Sequence, residues 1–254
     1  MKIIPVTDES ERLFWSYVNR DPLDYFFFIV DWSQRREQTK ILLAVEGKEV
    51  LGSLLVYDDF VFQFRGCREA VQRLFDGVEF GKVELQVPPD CEDIVCKKVR
   101  PRVRHEMVLM RLNRGEERVQ VVETPIRLSV DNAEEVASLL RRCDPEWWGE
   151  ITSEQLGQRW QETCWLGIVH EEKLVSVGST RFEVDFATNI GVVATDERYR
   201  GRGYATSVVS ALVQVILQRS PVALIHVIAD NAPAVKAYTS VGFKPHKTYI
   251  IIRS

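Results

Sequence analysis

Residues 189–218, NIGVVATDERYRGRGYATSVVSALVQVILQ, change their period in the middle. NIGVVA (189–194) is a short apolar run with the look of a buried strand. From residue 205 onward, Ala205, Val208, Val209, Leu212, Val215 and Ile216 fall at helical spacing on one face. Arg200-Gly201-Arg202-Gly203 therefore sits where a strand hands over to a helix. The first turn of a helix has unpaired N–H groups, and its dipole places roughly half a positive charge there. Glycine removes the Cβ that would hold a phosphate away from the backbone. Arg198, Arg200 and Arg202 add guanidinium groups suited to phosphate oxygens. The residues spell an anion cradle.

Two phosphate-binding patterns do not fit. A dinucleotide fingerprint calls for a sixth-position glycine where Thr206 stands, and too little chain follows for a doubly wound sheet. A Walker loop requires Gly-Lys-Ser/Thr, which is absent.

Working outward, the chain repeats one plan. ILLAVEGKEVLGSLLVYDDFVFQFRG (41–66) has a counterpart in CWLGIVHEEKLVSVGSTRFEVDFATNIGV (164–192), each a strand, a charged tight turn and more strand. IIPVTDESERLF and IRLSVDNAEEVASLL open the two halves alike, with a short strand and a capped helical pattern. VELQV (83–87) with MVLMRL (107–112) is mirrored by ALIHV (223–227) with YIIIR (249–253). The polar stretch NRGEERVQ (113–120) and Pro125 mark the seam. The expected organisation is two α+β units, 1–124 and 125–254.

A second motif follows the cradle. In NAPAVKAYTSVGF (231–243), Asn231 is a good N-cap, Pro233 falls in the first turn, and Gly242 with Phe243 ends the helix. Capping does not explain Tyr238.

Together these residues resemble the GNAT superfamily of acetyl-coenzyme A-dependent N-acyltransferases. Its Arg/Gln-x-x-Gly-x-Gly/Ala hallmark matches Arg198 to Gly203, and its Asn-x-x-Ala-x-x-x-Tyr-x-x-x-Gly-Phe hallmark matches Asn231, Ala234, Tyr238, Gly242 and Phe243. The resemblance implies two GNAT-like units, each a mixed, mostly antiparallel sheet flanked by helices and splayed at its fourth and fifth strands. It implies that N–H groups of Arg200, Gly201, Arg202, Gly203 and Tyr204 hold the pyrophosphate, with Arg198, Ala205 and Asn231 as further cofactor-binding residues. The backbone of Val192 and Val193 would pair with the pantetheine arm. An acetyl group would pass from acetyl-CoA to an amine by direct attack in a ternary complex, with no covalent enzyme intermediate.

Tyr238 is the expected proton donor to the departing thiolate, since a phenol near pKa 10 can protonate a thiolate whose thiol titrates near 8.5. A base must take the amine's proton. His226, on ALIHV, is the first candidate, with Glu183 and Asp185 as alternatives. Asn189 stands where many relatives carry Glu. The acceptor wall is expected around RRCDPEWWGEIT (141–152), with Trp160 and Trp165 beyond it.

The first unit carries Arg65-Gly66-Cys67-Arg68-Glu69-Ala70 opposite the cradle, and Cys91 and Lys98 opposite Asn231 and Tyr238. An arginine in place of a glycine and an added carboxylate describe a degenerate copy. Its basic run KKVRPRVRH (97–105) reads as a solvated face.

Composition bounds the remainder. A net charge of −4 over 254 residues argues against a nucleic-acid binder, and no apolar run is long enough to span a membrane. MKIIPVTDESE lacks the apolar segment of a signal peptide, and five cysteines without a C-x-x-C pair fit a reducing cytoplasm rather than a zinc site or disulfide framework. The sequence leaves open a small-molecule or a peptide amine, and a monomer or a homodimer. A longer acyl donor, as in glycine N-acyltransferase-like proteins, and a coenzyme A-binding regulatory protein without turnover are the alternatives.

Overall fold

The computed structural model describes residues 1–254. The first half runs β1 (Lys2–Pro5), α1 (Glu11–Val18), α2 (Phe26–Gln34), β2 (Thr39–Glu46), β3 (Glu49–Tyr57) and β4 (Val61–Gly66). It continues with α3 (Arg68–Asp76), β5 (Glu84–Val87), α4 (Glu92–Val95) and β6 (Val103–Asn113). The second half runs β7 (Ile126–Arg127), α5 (Ala133–Cys143), α6 (Pro145–Trp148), α7 (Ser153–Gly157), β8 (Trp165–His170) and β9 (Lys173–Val184). Then come β10 (Ala187–Thr195), α8 (Tyr204–Arg219), β11 (Val222–Ile228), α9 (Ala232–Val241) and β12 (Lys244–Arg253). Apart from the divided second helix, the order of elements is the same in both halves. No helix is long and apolar enough to cross a membrane.

The compact units differ from a cut at residue 124. One comprises Met1–Leu109, Ile228–Asp230 and His246–Ser254; the other comprises Met110–Val227 and Asn231–Pro245. The last strand is thus part of the first unit from His246 onward. Its register explains why: β12 pairs antiparallel with β5 from Ile250↔Val87 to Arg253↔Glu84. Arg253 Nε also donates to Glu84 Oε2 at 2.7 Å.

In the first unit, β1 through β4 form an antiparallel meander, and α3 carries the chain across to β5, which joins β4 in parallel. A parallel step needs such a crossover, because a tight hairpin can only reverse the chain. Alternation along the strands gives this sheet two unlike faces. Leu54, Val56, Phe62 and Phe64 pack with Val71, Leu74 and Phe75 of α3 in an apolar cluster. The opposite face holds Ser53, Gln63, Arg65 and Gln86, all buried. Arg65 Nε donates to Asp24 Oδ1 at 2.7 Å, Nη1 donates to the Phe64 carbonyl at 2.9 Å, and Nη2 donates to Gln86 Oε1. Tyr249 Oη donates to Asp24 Oδ1 at 2.6 Å, and the Arg65 Cζ lies 3.9 Å from the Tyr249 ring centroid. Lys247 Nζ stands 3.4 Å from Asp24 Oδ2. Side chains of β12 thereby anchor it to α2's neighbourhood as well as to β5.

In the second unit, β8, β9 and β10 form an antiparallel meander with β7 on the outer edge, and β11 joins β10 in parallel. α8 covers one face through Val208 and Leu212, whose methyl groups leave room at Gly178 for hydrogen alone. α5 and α7 cover the other, where Val136, Ala137, Leu140 and Leu156 pack with Trp165, Val177 and Val192. Capping fixes where these helices start: Thr152 and Gln155 bond reciprocally at α7, and Asp144 Oδ1 accepts from Trp147 N at the start of α6.

Burial is the largest influence on Asp24 and opposes its ionisation, but Arg65, Tyr249 and Lys247 together hold its carboxyl below the usual range. A lowered native pKa contributes stability that is full above the unfolded-state value and lost as pH falls through the folded one. Arg65→Met is expected to cost about 3–5 kcal/mol in chemical denaturation, by leaving the buried Asp24 carboxylate with only the Tyr249 hydroxyl and the half-exposed Lys247 as partners. Combining it with Asp24→Asn should recover most of that loss, and Asp24→Asn alone should flatten the acid limb of the stability profile.

Candidate functional site

β10 and β11 run in parallel register only from Thr188↔Ala223 to Ile190↔Ile225. Both strands continue past that point, to Thr195 and Ile228. On its other side β10 stays paired with β9 as far as Thr195↔Ser176. Gly191 to Thr195, including Val192 and Val193, thus have a strand partner on one side only. Backbone groups left this way need another partner.

The free edge leads into the cradle. Asp196 caps a 3-10 turn by accepting from Arg198 N at 3.1 Å, and Arg198 Nε returns to the same carboxylate at 3.3 Å. That hydrogen bond is the main reason the Asp196 carboxyl titrates below its usual range. Arg200 Nε donates to the Thr195 carbonyl at 3.2 Å, and the Arg202 Cζ lies 5.0 Å from the Tyr199 ring centroid. Gly201 and Gly203 have φ of +78° and +83°. Gly203 is the residue before α8, so its left-handed backbone turns the chain into the helix, where Tyr204 and Ala205 supply the first N–H groups. An ideal Cβ on Gly203 would also stand 3.1 Å from Val122 Cγ2.

Val122 belongs to a feature that sequence reasoning missed. The stretch read as a polar seam lies along α8 and α9, with Arg118 N bonded to the Val241 carbonyl at 2.7 Å. Gln120 N donates to Ser210 Oγ at 3.1 Å and Val122 N to Ser207 Oγ at 2.9 Å. The available signal was the pair of serines facing one side of an otherwise apolar helix.

Asn231 caps α9, its Oδ1 accepting from Ala234 N at 3.2 Å. Tyr238, two turns on, is 6% exposed, and no protein group bonds its hydroxyl. Burial alone raises the pKa of that phenol. Tyr238 therefore stays protonated and able to donate through the neutral range.

Register sorts the base candidates. Asn189 is the Cα partner of Leu224 on β11 and of Arg181 on β9. Partners share a face, and residues two apart on a strand share it too. Asn189, Arg181 and His226 accordingly face the α5 side, with Val192 and Trp165. Glu183 pairs instead with Thr188, past an irregularity at Phe182, which has φ of +56°. Thr188 Oγ1 bonds Ser220 Oγ at the end of α8, so Glu183 lies on the face opposite Asn189. Asp185 is in the turn between β9 and β10. Asn189 is 3% exposed, and its Oδ1 has no hydrogen-bond partner. An unpaired buried acceptor of this kind costs about 1–3 kcal/mol.

Trp160 and Trp165 stack in the core, ring centroids 4.9 Å apart, and Trp148 is partly buried against the same cluster. In the first unit a single residue, Cys67, separates β4 from α3, so the eight-residue cradle has no counterpart there. Cys91 does stand at the start of α4 as Asn231 does at α9, but α4 ends at Val95, before Lys98. Lys98, Arg100 and Arg102 of the basic run line a cavity of about 790 Å³ in that unit with Lys82 and Phe80.

Comparison with known proteins finds this arrangement of strand, glycine turn and helix at parted parallel strands in a fold shared with acetyltransferases of the GNAT family. Residues 165–251 match the family described as FR47-like protein. No curated protein matches the sequence. A Drosophila protein of known structure superposes over 99% of this chain and 97% of its own, with a TM-score of 0.73 at 14% identity. An acetyltransferase of the GNAT family from Colwellia psychrerythraea covers 100% and 99%, with a TM-score of 0.59 at 15% identity. A tandem GNAT protein from the clavulanic acid biosynthesis pathway covers 100% and 98%, with a TM-score of 0.61 at 11% identity. At these identities the likeness is one of fold.

Gly203→Ala is expected to destabilise the second unit by about 1–2 kcal/mol, the cost of a left-handed residue with a side chain. Ala205→Gly should lose no more than about 1 kcal/mol. Thermal denaturation of the two variants measures the difference.

Proposed function

We propose that the chain is an N-acetyltransferase whose second unit binds acetyl-CoA and transfers the acetyl group to an amine. The observation that carries this reading is the strand edge from Gly191 to Thr195, free on the β11 side and continuous with a left-handed glycine turn at the start of α8. A pantetheine arm has amide groups that can pair with such an edge, and the pyrophosphate suits the N–H groups from Arg200 to Ala205. Arg200 and Arg202 are the cations at hand; Arg198 pairs with Asp196.

In this reading the amine nitrogen attacks the thioester carbonyl carbon, the C–S bond breaks, and coenzyme A leaves as a thiolate. Tyr238 gives the thiolate its proton, and His226 takes one from the amine nitrogen. A donor backbone N–H near Val193 would offset charge on the carbonyl oxygen. No side chain needs to bond the acetyl group covalently.

We read the first unit as a degenerate copy. Arg65 fills the position where β4 leaves β5: their parallel register stops at Gln63↔Gln86, and the guanidinium bonds both Gln86 and the Phe64 carbonyl. A strand edge satisfied by its own side chain offers nothing to a second pantetheine.

The alternative of a coenzyme A-binding protein without turnover gains support from Asn189, an amide that cannot act as a base. Release of free thiol from acetyl-CoA with an amine panel separates the two. Calorimetry is expected to give one coenzyme A per chain; no uptake would remove the proposal, and two equivalents would remove the degenerate copy. Tyr238→Phe should lower kcat roughly 100-fold at unchanged coenzyme A affinity. The wild-type rate should show no alkaline loss from this group below pH 10.0.

A further inference from the structure

Asn189 is the most exacting feature that the proposed chemistry does not use. Its carboxamide is buried, its oxygen is unpartnered, and it stands one residue before the end of the parallel register between β10 and β11. Two residues further, the strand edge proposed to carry the thioester begins. The position is therefore beside the place where acetyl carbon and amine nitrogen must meet.

The surroundings narrow what can complete this oxygen. α5 and α7 pack on this face through apolar side chains, together with the partly buried thiol of Cys143. From β9 comes Arg181, the Cα partner of Asn189. Its stem crosses Gly191, where an ideal Cβ would lie 2.5 Å from Arg181 Cβ and 2.9 Å from Cδ. From β11 comes His226. From β9 and β11 register brings a guanidinium and an imidazole to this face, while Glu183 of β9 lies on the other. An ammonium ion gains little beside a guanidinium, and an amide oxygen can orient an N–H without removing its proton.

Resting on the acetyltransferase reading, we propose that Asn189 is the acceptor-positioning residue. Its side-chain oxygen accepts an N–H from the attacking nitrogen, and the site thereby favours amines that keep an appreciable neutral fraction at working pH. The α-amine of an amino-acid derivative or peptide is the class that fits, in preference to a lysine-type alkylamine. At pH 7 an α-amine is neutral roughly 300 times more often than a lysine side chain.

The test uses the full chain, acetyl-CoA, glycinamide as the α-amine probe and N-butylamine as the alkylamine probe. Wild type should favour glycinamide in kcat/KM by about 100-fold or more at pH 7, as the neutral fractions predict. Asn189→Leu should raise the glycinamide KM at least about tenfold at unchanged coenzyme A affinity, the cost of losing one oriented hydrogen bond. Asn189→Asp, which places a charge at the same atoms, should shrink the α-amine preference and shift the pH–rate profile. A structural role alone predicts neither change. The proposal fails if Asn189→Leu alters only thermal stability, or if wild type prefers N-butylamine. Failure of wild type to bind coenzyme A would instead remove the reading on which it rests, and this proposal with it.

Discussion

Every backbone N–H and carbonyl removed from water needs a partner, and in the second unit the inner strand β10 has one on a single side beyond Ile190. β10 keeps β9 along its length but gives up β11 after Ile190. An antiparallel partner alone satisfies half of the strand's hydrogen-bonding groups. The other half faces a widening gap between two parallel strands, and the chain then turns through Gly201 and Gly203 into the exposed N–H groups of α8. The proposed cofactor, with amides along one arm and phosphates at the other end, has groups of the kind both places lack. The rest of the unit holds this geometry: α8 is fixed on the sheet at Gly178, and the 118–122 segment is tied to α8 through Ser207 and Ser210.

The first unit meets the same parting of strands and closes it internally. Arg65 reaches across to Gln86, takes the Phe64 carbonyl, and is balanced by Asp24. Burying a guanidinium is costly unless its charge and its donors are all matched, and here Asp24, Gln86, Phe64 and the Tyr249 ring share that task. The anchors on Tyr249 and Lys247 come from the C-terminal strand, so Arg65 and β12 share Asp24 as a common partner. With one residue between β4 and α3, no loop remains to hold phosphate.

Much of the second unit was legible because its signals are local. Gly203 and Gly201 announced positions without side chains in the turn between strand and helix, Asn231 and Pro233 announced a helix start, and the valines of 205–218 announced a buried helical face. The two hallmark patterns added the ordering of strand, cradle and helix. Less was legible around the acceptor. Trp160 and Trp165 proved to be stacked core, and Glu183 is turned from Asn189 by the left-handed Phe182, a backbone irregularity that nothing in TRFEVDF declares. The polar stretch 113–120 read as a seam, although Gln120 and the neighbouring Val122 are bonded to the cradle helix.

The sequence by itself determined what near neighbours enforce: which stretches are strand or helix, where each helix begins, and where the turn into α8 has positions without side chains. Those outcomes depend on backbone preference and capping within a few residues. Tertiary structure alone decided which strand lies beside which. YIIIR carries the same alternating pattern whichever sheet receives it. Only the match of β12 to β5, with Tyr249 on Asp24 and Arg253 on Glu84, assigns it to the first unit. The common face of Asn189 and His226 likewise exists only through the register of separate strands, and pairing between distant segments is a property of their combined surfaces.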